Sequence, residues 1–162
     1  QLRTHIKQLD SDHQLDLPGK LEQYHNGIQT TYGENTNTEI NNNPLNYVNH
    51  FITMHSVQKQ LQQLPKEQQA EVLETVRRSV GMDDNAIDRW QRLDQERNER
   101  WQKGKNYMTE RAIILSSHSG QKLNTQLAQL RTLYFGAKST YIKAEESNGY
   151  YRYARQQIIG KN

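Results

Sequence analysis

Cysteine is absent from this sequence, and its absence removes several kinds of site at once. With no Cys among 162 residues, the chain has no disulfide framework, no thiolate metal ligand and no Cys nucleophile. The six histidines do not replace them: His50 and His55 are five residues apart and do not share a helix face, and no HExxH pattern occurs. The sequence therefore predicts neither a metal site nor a bound cofactor.

Apolar residues are scarce. Only 33% of the chain is hydrophobic, and its mean hydropathy is −1.08. Burying a side chain contributes roughly 1.5 to 3 kcal/mol, whereas ordering the backbone costs about 1 to 2 kcal/mol per residue. We therefore expect a thin core, in elongated helices that are marginal alone or in helices whose missing burial a partner supplies.

Long hydrophobic runs are also missing, since no stretch approaches the roughly 20 apolar residues that a membrane-spanning helix needs. The chain begins at Gln1 without a Met. We expect it to be a processed fragment from which any signal or anchor has been removed.

Neither sign of charge dominates, because 21 basic and 18 acidic residues are finely interspersed to a net charge of +3. No run of Lys or Arg exceeds two residues, which disfavours nucleic-acid binding. Carboxylate pairs such as Asp83-Asp84 and Glu145-Glu146 lie in charged runs, where solvated ion pairs are the expected state. No GxSxG, Walker or GxGxxG pattern occurs. The sequence predicts a protein that is not an enzyme.

Helical periodicity is present from Pro44 onward, and no strand-like alternation of useful length occurs. The pattern predicts an all-α protein in an extended multi-helix arrangement and not a compact single-core globule. Its predicted segments are an irregular, partner-ordered N-terminal segment over 1–43, a helical hairpin lobe over 44–81, a long extended helix over 82–115, and a C-terminal helical lobe with a Tyr/Arg-rich tail over 116–162.

Within the hairpin lobe, Asn43 and Pro44 predict the start of a first helix that ends near Leu64. Pro65 then opens a second helix that stops at Gly81, which suits a left-handed position.

Aromatic residues suggest where a partner binds. The only two tryptophans, Trp90 and Trp101, lie on the long helix, whose apolar stripe is narrow and interrupted by charge. Interface residues are enriched in Trp, Tyr and Arg, and the tail has the same composition. Two alternatives stay open: the tryptophans fill local helix contacts, and the tail is disordered. The candidate partner-binding residues are Trp90, Arg97, Trp101, Tyr107, Tyr150, Tyr151 and Tyr153.

A family resemblance rests on four pieces in the second half of the chain. They are Arg92-Leu93-Asp94-Gln95-Glu96-Arg97 with Trp101, Tyr107 and Glu110-Arg111-Ala112-Ile113; a loop from Ser116 to Gly120; Leu127-Ala128-Gln129-Leu130-Arg131 with Phe135; and Ala144-Glu145-Glu146. In order and spacing, residues 76–146 resemble the C-terminal part of the lipase-specific foldases, which are steric chaperones of bacterial lipases.

The first half departs from that family. Where the family has the motif associated with lipase activation, this chain has His25-Asn26-Gly27, with Glu22 at the Arg position and Thr30 at the Ser position. This departure favours a divergent member that serves another exoenzyme, such as a metalloprotease, as the CpaB-type chaperones do.

The resemblance implies two small helical lobes joined by an extended helical segment that wraps a client protein. It also implies a 1:1 heterodimer with a type II-secreted hydrolase, a periplasmic location and an N-terminal inner-membrane anchor outside this sequence. The client would contact a cleft or arc lined by Trp90, Arg97, Trp101 and Tyr107. The alternative is a self-associating helical structural or adaptor protein with no folding role.

Overall fold

The chain is all helical, which confirms the predicted fold class. A computed structural model describes residues 1–162 and contains nine α-helices and no β-strand. The helices are α1 Leu2–Asp10, α2 Leu17–Tyr32, α3 Thr36–Asn42, α4 Pro44–Ile52, α5 His55–Gln62, α6 Lys66–Ser79, α7 Asp84–Ser117, α8 Gly120–Phe135 and α9 Ser139–Ser147. Short 3₁₀ turns occur at Gly33–Asn35, Gly136–Lys138 and Arg152–Ala154.

The helices form two compact units, each with its own hydrophobic core. Unit 1 comprises Gln1–Asp94 together with Ile158–Asn162, and unit 2 comprises Gln95–Gln157. The prediction that no single core organises the chain is therefore confirmed. The boundary between the units falls inside α7 and not at either end of the predicted long helix.

The N-terminal region is helical and not irregular, which corrects the prediction for 1–43. Pro18 and Gly19 lie in the first turn of α2, where the Asp16 carboxylate accepts a hydrogen bond of 2.9 Å from the Gly19 N–H. Proline suits this position because the first N–H groups of a helix have no intrahelical acceptor. Tyr24 and Ile28 of α2 are fully buried in unit 1. Tertiary burial outweighs the weak local propensity of this stretch.

The first helix of the predicted hairpin lobe is in fact two helices. α4 ends at Ile52 and α5 begins at His55. The Asp10 carboxylate of α1 receives the first N–H groups of α5, at 2.7 Å from Ser56 N and 3.2 Å from His55 N. A side chain 45 residues upstream thus caps this helix, so no local signal marks the break. The second predicted stop is correct, since α6 is followed by Gly81 with φ +93°.

Lys20 is a fully buried cation in unit 1. Its Nζ donates to the carbonyl oxygen of Leu9 at 2.9 Å and to that of Asp12. These carbonyls lie at the C-terminal end of α1, where the helix dipole favours positive charge. Lys20 therefore fixes the end of α1 against α2.

Candidate protein-binding surface

The core of unit 2 is built from aromatic rings. Tyr153 contacts Trp101 edge to face with centroids 5.1 Å apart, and it stacks on Phe135 at 5.9 Å. Tyr107 contacts Phe135 at 4.9 Å. Aromatic pairs at these separations contribute about 0.5 to 1.5 kcal/mol beyond the burial of their area. The tail residue Tyr153 is thus part of the core.

A buried carboxylate joins the three helices of unit 2. Glu146 of α9 accepts from Arg131 Nε of α8 at 2.8 Å and from the Tyr107 hydroxyl of α7. Arg111 Nε of α7 lies 3.4 Å from the same carboxylate. Burial, and then the hydrogen bond to Glu146, raises the pKa of Tyr107 to about 12, so its hydroxyl stays protonated and donates. Two guanidinium groups and one phenol therefore surround the Glu146 carboxylate.

Cations order the Tyr/Arg-rich tail. The guanidinium carbon of Arg111 lies 4.9 Å from the centre of the Tyr151 ring, and that of Arg155 lies 4.4 Å from the centre of the Tyr150 ring. Arg152 pairs with Glu145. Cation–π contacts are worth about 0.5 to 1 kcal/mol at exposed sites. The tail is folded onto unit 2, so the disordered alternative is wrong.

Three of the seven candidate partner-binding residues lie in the interior of unit 2. Trp101, Tyr107 and Tyr153 are each less than 10% exposed, so they offer no surface to a partner in this fold. The burial of Trp101 and Tyr107 corrects the expectation that these two residues line an open cleft. Trp101 fills a helix contact, which was the alternative for the tryptophans. The reason is that α7 turns its narrow apolar stripe toward a core built by α8, α9 and the tail.

The other four candidates keep some surface. Tyr150 is 38% exposed, and Trp90, Arg97 and Tyr151 are partly buried. Trp90 belongs to unit 1, whereas the other six candidates belong to unit 2.

Trp90 lies beside a buried ion pair of unit 1. Arg77 is almost fully buried and forms two hydrogen bonds to the Asp94 carboxylate, of 2.6 and 3.1 Å. Its guanidinium carbon lies 5.1 Å from the centre of the Trp90 ring. A paired arginine stacked on an indole orders the junction of α6 and α7, so Trp90 has a structural role of its own.

Large apolar side chains remain exposed on all three helices of unit 2. Leu133 of α8 is 76% exposed, Tyr141 of α9 is 69% exposed and Ile113 of α7 is 61% exposed. At about 100° of rotation per residue, Ile113 lies about 200° from Arg111, and Leu133 lies about 200° from Arg131. Both arginines face Glu146. Ile113 and Leu133 therefore point away from the buried carboxylate. We call the exposed residues Ile113, Leu133 and Tyr141 the outer apolar residues.

Sequence reasoning missed these three residues, although a signal was present. Ile113 falls off the apolar stripe of its helix, and an exposed apolar residue on the polar face of a helix is a candidate for contact with a partner.

Two grooves are further surface features of unit 1. Unit 1 has a polar groove of about 610 Å³ between α1 and α2 and a second of about 440 Å³ beside α4. No group of three His, Asp or Glu side chains is placed to hold a metal ion. None of the helices is both long and apolar enough to cross a membrane.

Comparison with known proteins finds no family model, no curated protein and no solved structure that matches this chain.

Proposed function

We propose that this chain is a steric chaperone that binds a type II-secreted hydrolase and assists its folding and secretion, without enzymatic activity of its own. The observation on which the proposal depends is the exposure of Ile113, Leu133 and Tyr141 on the outer faces of unit 2. The partner-binding surface is thereby assigned to residues other than the buried tryptophan and tyrosines of the aromatic core.

The composition of the chain supports a protein partner. Single exposed apolar residues are ordinary on any protein surface. In this chain, however, only 33% of the residues are hydrophobic, so the fold has few apolar side chains to bury. Each of the three helices nevertheless leaves a large apolar side chain exposed to water. Transfer of each such side chain to an interface contributes roughly 1.5 to 3 kcal/mol. A client that covers the three helices would supply this burial.

The foldase resemblance of residues 76–146 supports the chaperone class and a periplasmic location, with tethering to the inner membrane by a segment outside this sequence. The departure around His25-Asn26-Gly27 favours a metalloprotease client over a lipase. The expected complex is a 1:1 heterodimer.

Refolding of a client tests the proposal. A type II-secreted hydrolase, either a lipase or a metalloprotease, is denatured and diluted into buffer with increasing amounts of the chain. We expect recovered hydrolase activity to rise and to saturate near a 1:1 ratio, because a steric chaperone acts by stoichiometric binding. Recovery equal to that with an unrelated helical protein would refute a folding role.

Matched variants test the surface. The double variant Leu133→Asp/Tyr141→Asp should weaken client binding by at least about tenfold, since desolvation of the two aspartates together should cost more than about 1.4 kcal/mol of binding free energy. The control Gln129→Asp/Thr140→Asp makes the same change of charge at exposed positions of α8 and of the start of α9. Binding that is equal in the two double variants, with circular dichroism unchanged in both, would exclude the outer apolar residues as the client site.

Self-association is the second candidate, because the same exposed side chains would also suit a second copy of the chain. Sedimentation at several concentrations without client separates the two functions. The structural or adaptor role would be favoured by two results together: the chain forms a homodimer that Leu133→Asp/Tyr141→Asp dissociates, and the unmodified chain has no effect on client refolding.

A further inference from the structure

The end of the chain occupies a slot in unit 1. Ile159 is buried, although it lies three residues from the end of the sequence. Its neighbour Gly160 lies against two side chains of the unit 1 core: a Cβ at Gly160 would lie 2.6 Å from Leu73 Cδ2 and 3.2 Å from Ile52 Cδ1. We call the site formed by Ile52, Gln58 and Leu73 the C-terminal slot.

Gln58 binds the backbone of Ile159 as a neighbouring strand would. Its Nε2 donates to the Ile159 carbonyl oxygen at 2.9 Å, and its Oε1 accepts from the Ile159 N–H at 2.8 Å. The same Nε2 donates to the Ile52 carbonyl oxygen at 2.7 Å, which fixes the amide orientation. Gln58 is itself buried. The slot thus presents one donor and one acceptor at the spacing of a peptide backbone.

An empty slot is costly. Without Ile159, the Gln58 Oε1 and one of its N–H groups would lose their partners beside the fully buried Ile52 and the buried Leu73. A buried polar group left without a partner costs about 1 to 3 kcal/mol. The slot therefore favours any occupant that offers the same backbone pair.

The occupant is a small turn that makes its own hydrogen bonds. The carbonyl oxygen of Ile158 accepts from Lys161 N at 3.0 Å and from Asn162 N at 3.1 Å. The Ile158 N–H donates to the Asn162 side-chain oxygen at 2.7 Å. We call Ile158–Asn162 the C-terminal turn. Because these bonds are internal to it, the turn retains part of its shape outside the slot, which lowers the entropic cost of binding.

We propose that the C-terminal slot is a peptide-binding site, filled in cis by the chain's own C-terminal turn and filled in trans by the same turn of a second copy when the cis turn has left. The specificity follows from the fit. The site takes a buried β-branched side chain followed by glycine, since φ at Gly160 is +84°, which other residues rarely adopt, and a Cβ there would crowd the Leu73 side chain. Two copies that exchange turns form a dimer without any contact absent from the monomer.

A peptide tests the site in the full chain. The variant Ile159→Asp places a charge in the slot and releases the cis turn. An acetylated peptide of residues 155–162 should then bind this variant and raise its thermal midpoint, because a ligand of the folded state stabilises it by mass action. The control peptide has the same Ile159→Asp change and should have no effect.

The unmodified chain provides the second control. A tethered segment competes at an effective concentration on the order of millimolar, so we expect the peptide to bind unmodified chain at least about tenfold more weakly than the variant. If the variant does not fold alone, the peptide must restore its helical circular dichroism signal. A variant that neither binds the peptide nor regains helicity with it, at millimolar peptide, overturns the proposal.

Complementation tests the second copy. Gln58→Leu damages the slot but keeps the turn, whereas Ile159→Asp damages the turn but keeps the slot. Each variant alone should remain at the 19.1 kDa monomer mass, and an equimolar mixture should contain dimer by light scattering, since one intact slot then meets one intact turn. A mixture that stays monomeric although the peptide binds would refute exchange between copies.

Exchange is independent of the client-binding surface. Dimer formation in the mixture should persist when both chains also have Leu133→Asp/Tyr141→Asp, because those residues lie in unit 2. Loss of the dimer in that background would assign the association to the outer apolar residues and not to the slot.

Discussion

The ring of Tyr153 lies directly against the backbone of α7. A Cβ at Gly104 would lie 2.2 Å from two atoms of that ring, which is far inside contact distance. The glycine is needed for space, because its helical backbone conformation is open to any residue. At this position the fold of unit 2 depends on the absence of a side chain.

Substitution of this glycine should destabilise unit 2. We expect Gly104→Val to lower the free energy of unfolding by about 1 to 3 kcal/mol, since overpacking forces the Tyr153 ring out of its site. Denaturant unfolding followed by Trp101 fluorescence in a Trp90→Phe background measures it. The control is Lys103→Val, at the neighbouring exposed position. If Gly104→Val and Lys103→Val had equal effects on stability, a side chain at position 104 would not displace the Tyr153 ring.

Trp101 is a core residue by its burial, and its removal distinguishes packing from partner binding. Trp101→Ala should lower the stability of unit 2 by about 3 to 5 kcal/mol and reduce helicity, because a large cavity opens beside Tyr153. Leu133→Ala removes a large apolar side chain that is 76% exposed and should change stability by less than about 0.5 kcal/mol. If the helicity of Trp101→Ala were undiminished, Trp101 would not be a core residue and would again be a candidate for partner binding.

At the scale of the element, α5 begins where α1 supplies its cap. Met54 precedes α5 and offers no side-chain oxygen, so the two N–H groups of His55 and Ser56 rely on Asp10. The carboxylate also carries the negative charge that the positive end of a helix dipole favours. One residue of α1 thereby determines where α4 stops and α5 starts.

Loss of this cap should be measurable. Asp10→Ala should cost about 0.5 to 2 kcal/mol of stability in unit 1, the usual range for removal of a helix N-cap. Asp88→Ala, at an exposed position of α7, is the matched control and should change stability by less than about 0.5 kcal/mol. Thermal unfolding by circular dichroism compares them, and similar midpoints would show that solvent replaces Asp10.

Sequence reasoning succeeded for elements whose ends are marked locally. Gly81 stops the helix of 66–79, and Pro44 opens α4, because backbone constraints act within one or two residues. It failed for α1 to α3 and for the break at Thr53 and Met54. Those elements depend on burial of Tyr24 and Ile28 and on a cap from a distant helix, and neither is visible in a local window.

At the scale of the whole molecule, titration limits stability on both sides of neutrality. Burial lowers the pKa of His25, which stacks on Tyr24. Burial alone would raise the pKa of Asp10, but hydrogen bonds from Ser56 and His55 outweigh it and lower the pKa. In the alkaline range, burial and Glu146 raise the pKa of Tyr107 to about 12. All three groups have folded-state pKa values displaced away from neutrality.

The sign of each effect follows from proton uptake. Between its lowered pKa and about 6.5, unfolded His25 binds more protons than folded His25, so stability falls as the pH drops below about 6.5. Asp10 adds a further loss as the pH falls below about 3.9 and through its lowered pKa. Tyr107 contributes stability that is complete below about 10 and is lost as the pH rises from there toward its folded pKa.

We expect a thermal midpoint that is highest near neutral pH and declines on both sides. Circular dichroism melts from pH 3.5 to 10.5 measure it, with His25→Phe as the test variant. That variant should lose the part of the decline between pH 7 and 5. A midpoint of the unmodified chain that does not change between pH 7 and 5 would contradict the assignment to His25.

The sequence by itself determined the class of the molecule. Helical periodicity, the absence of strand patterns and the low apolar content were sufficient for an all-α chain without a single core, because these properties sum over many residues and survive local errors. Periodicity could not decide whether an aromatic residue packs in the core or binds a partner, because it identifies the face of a helix and not what covers that face.

Only the tertiary structure decided which apolar residues are covered. It buries Trp101, Tyr107 and Tyr153, leaves Leu133 and Tyr141 in solvent, and places Ile159 in a slot of unit 1. The physical reason is distance along the chain: Gln58 and Ile159 are 101 residues apart, and the contact between them is specified by packing of the whole of unit 1. The C-terminal slot follows from contacts of that kind, whereas the proposed client surface consists of apolar side chains that the fold leaves exposed.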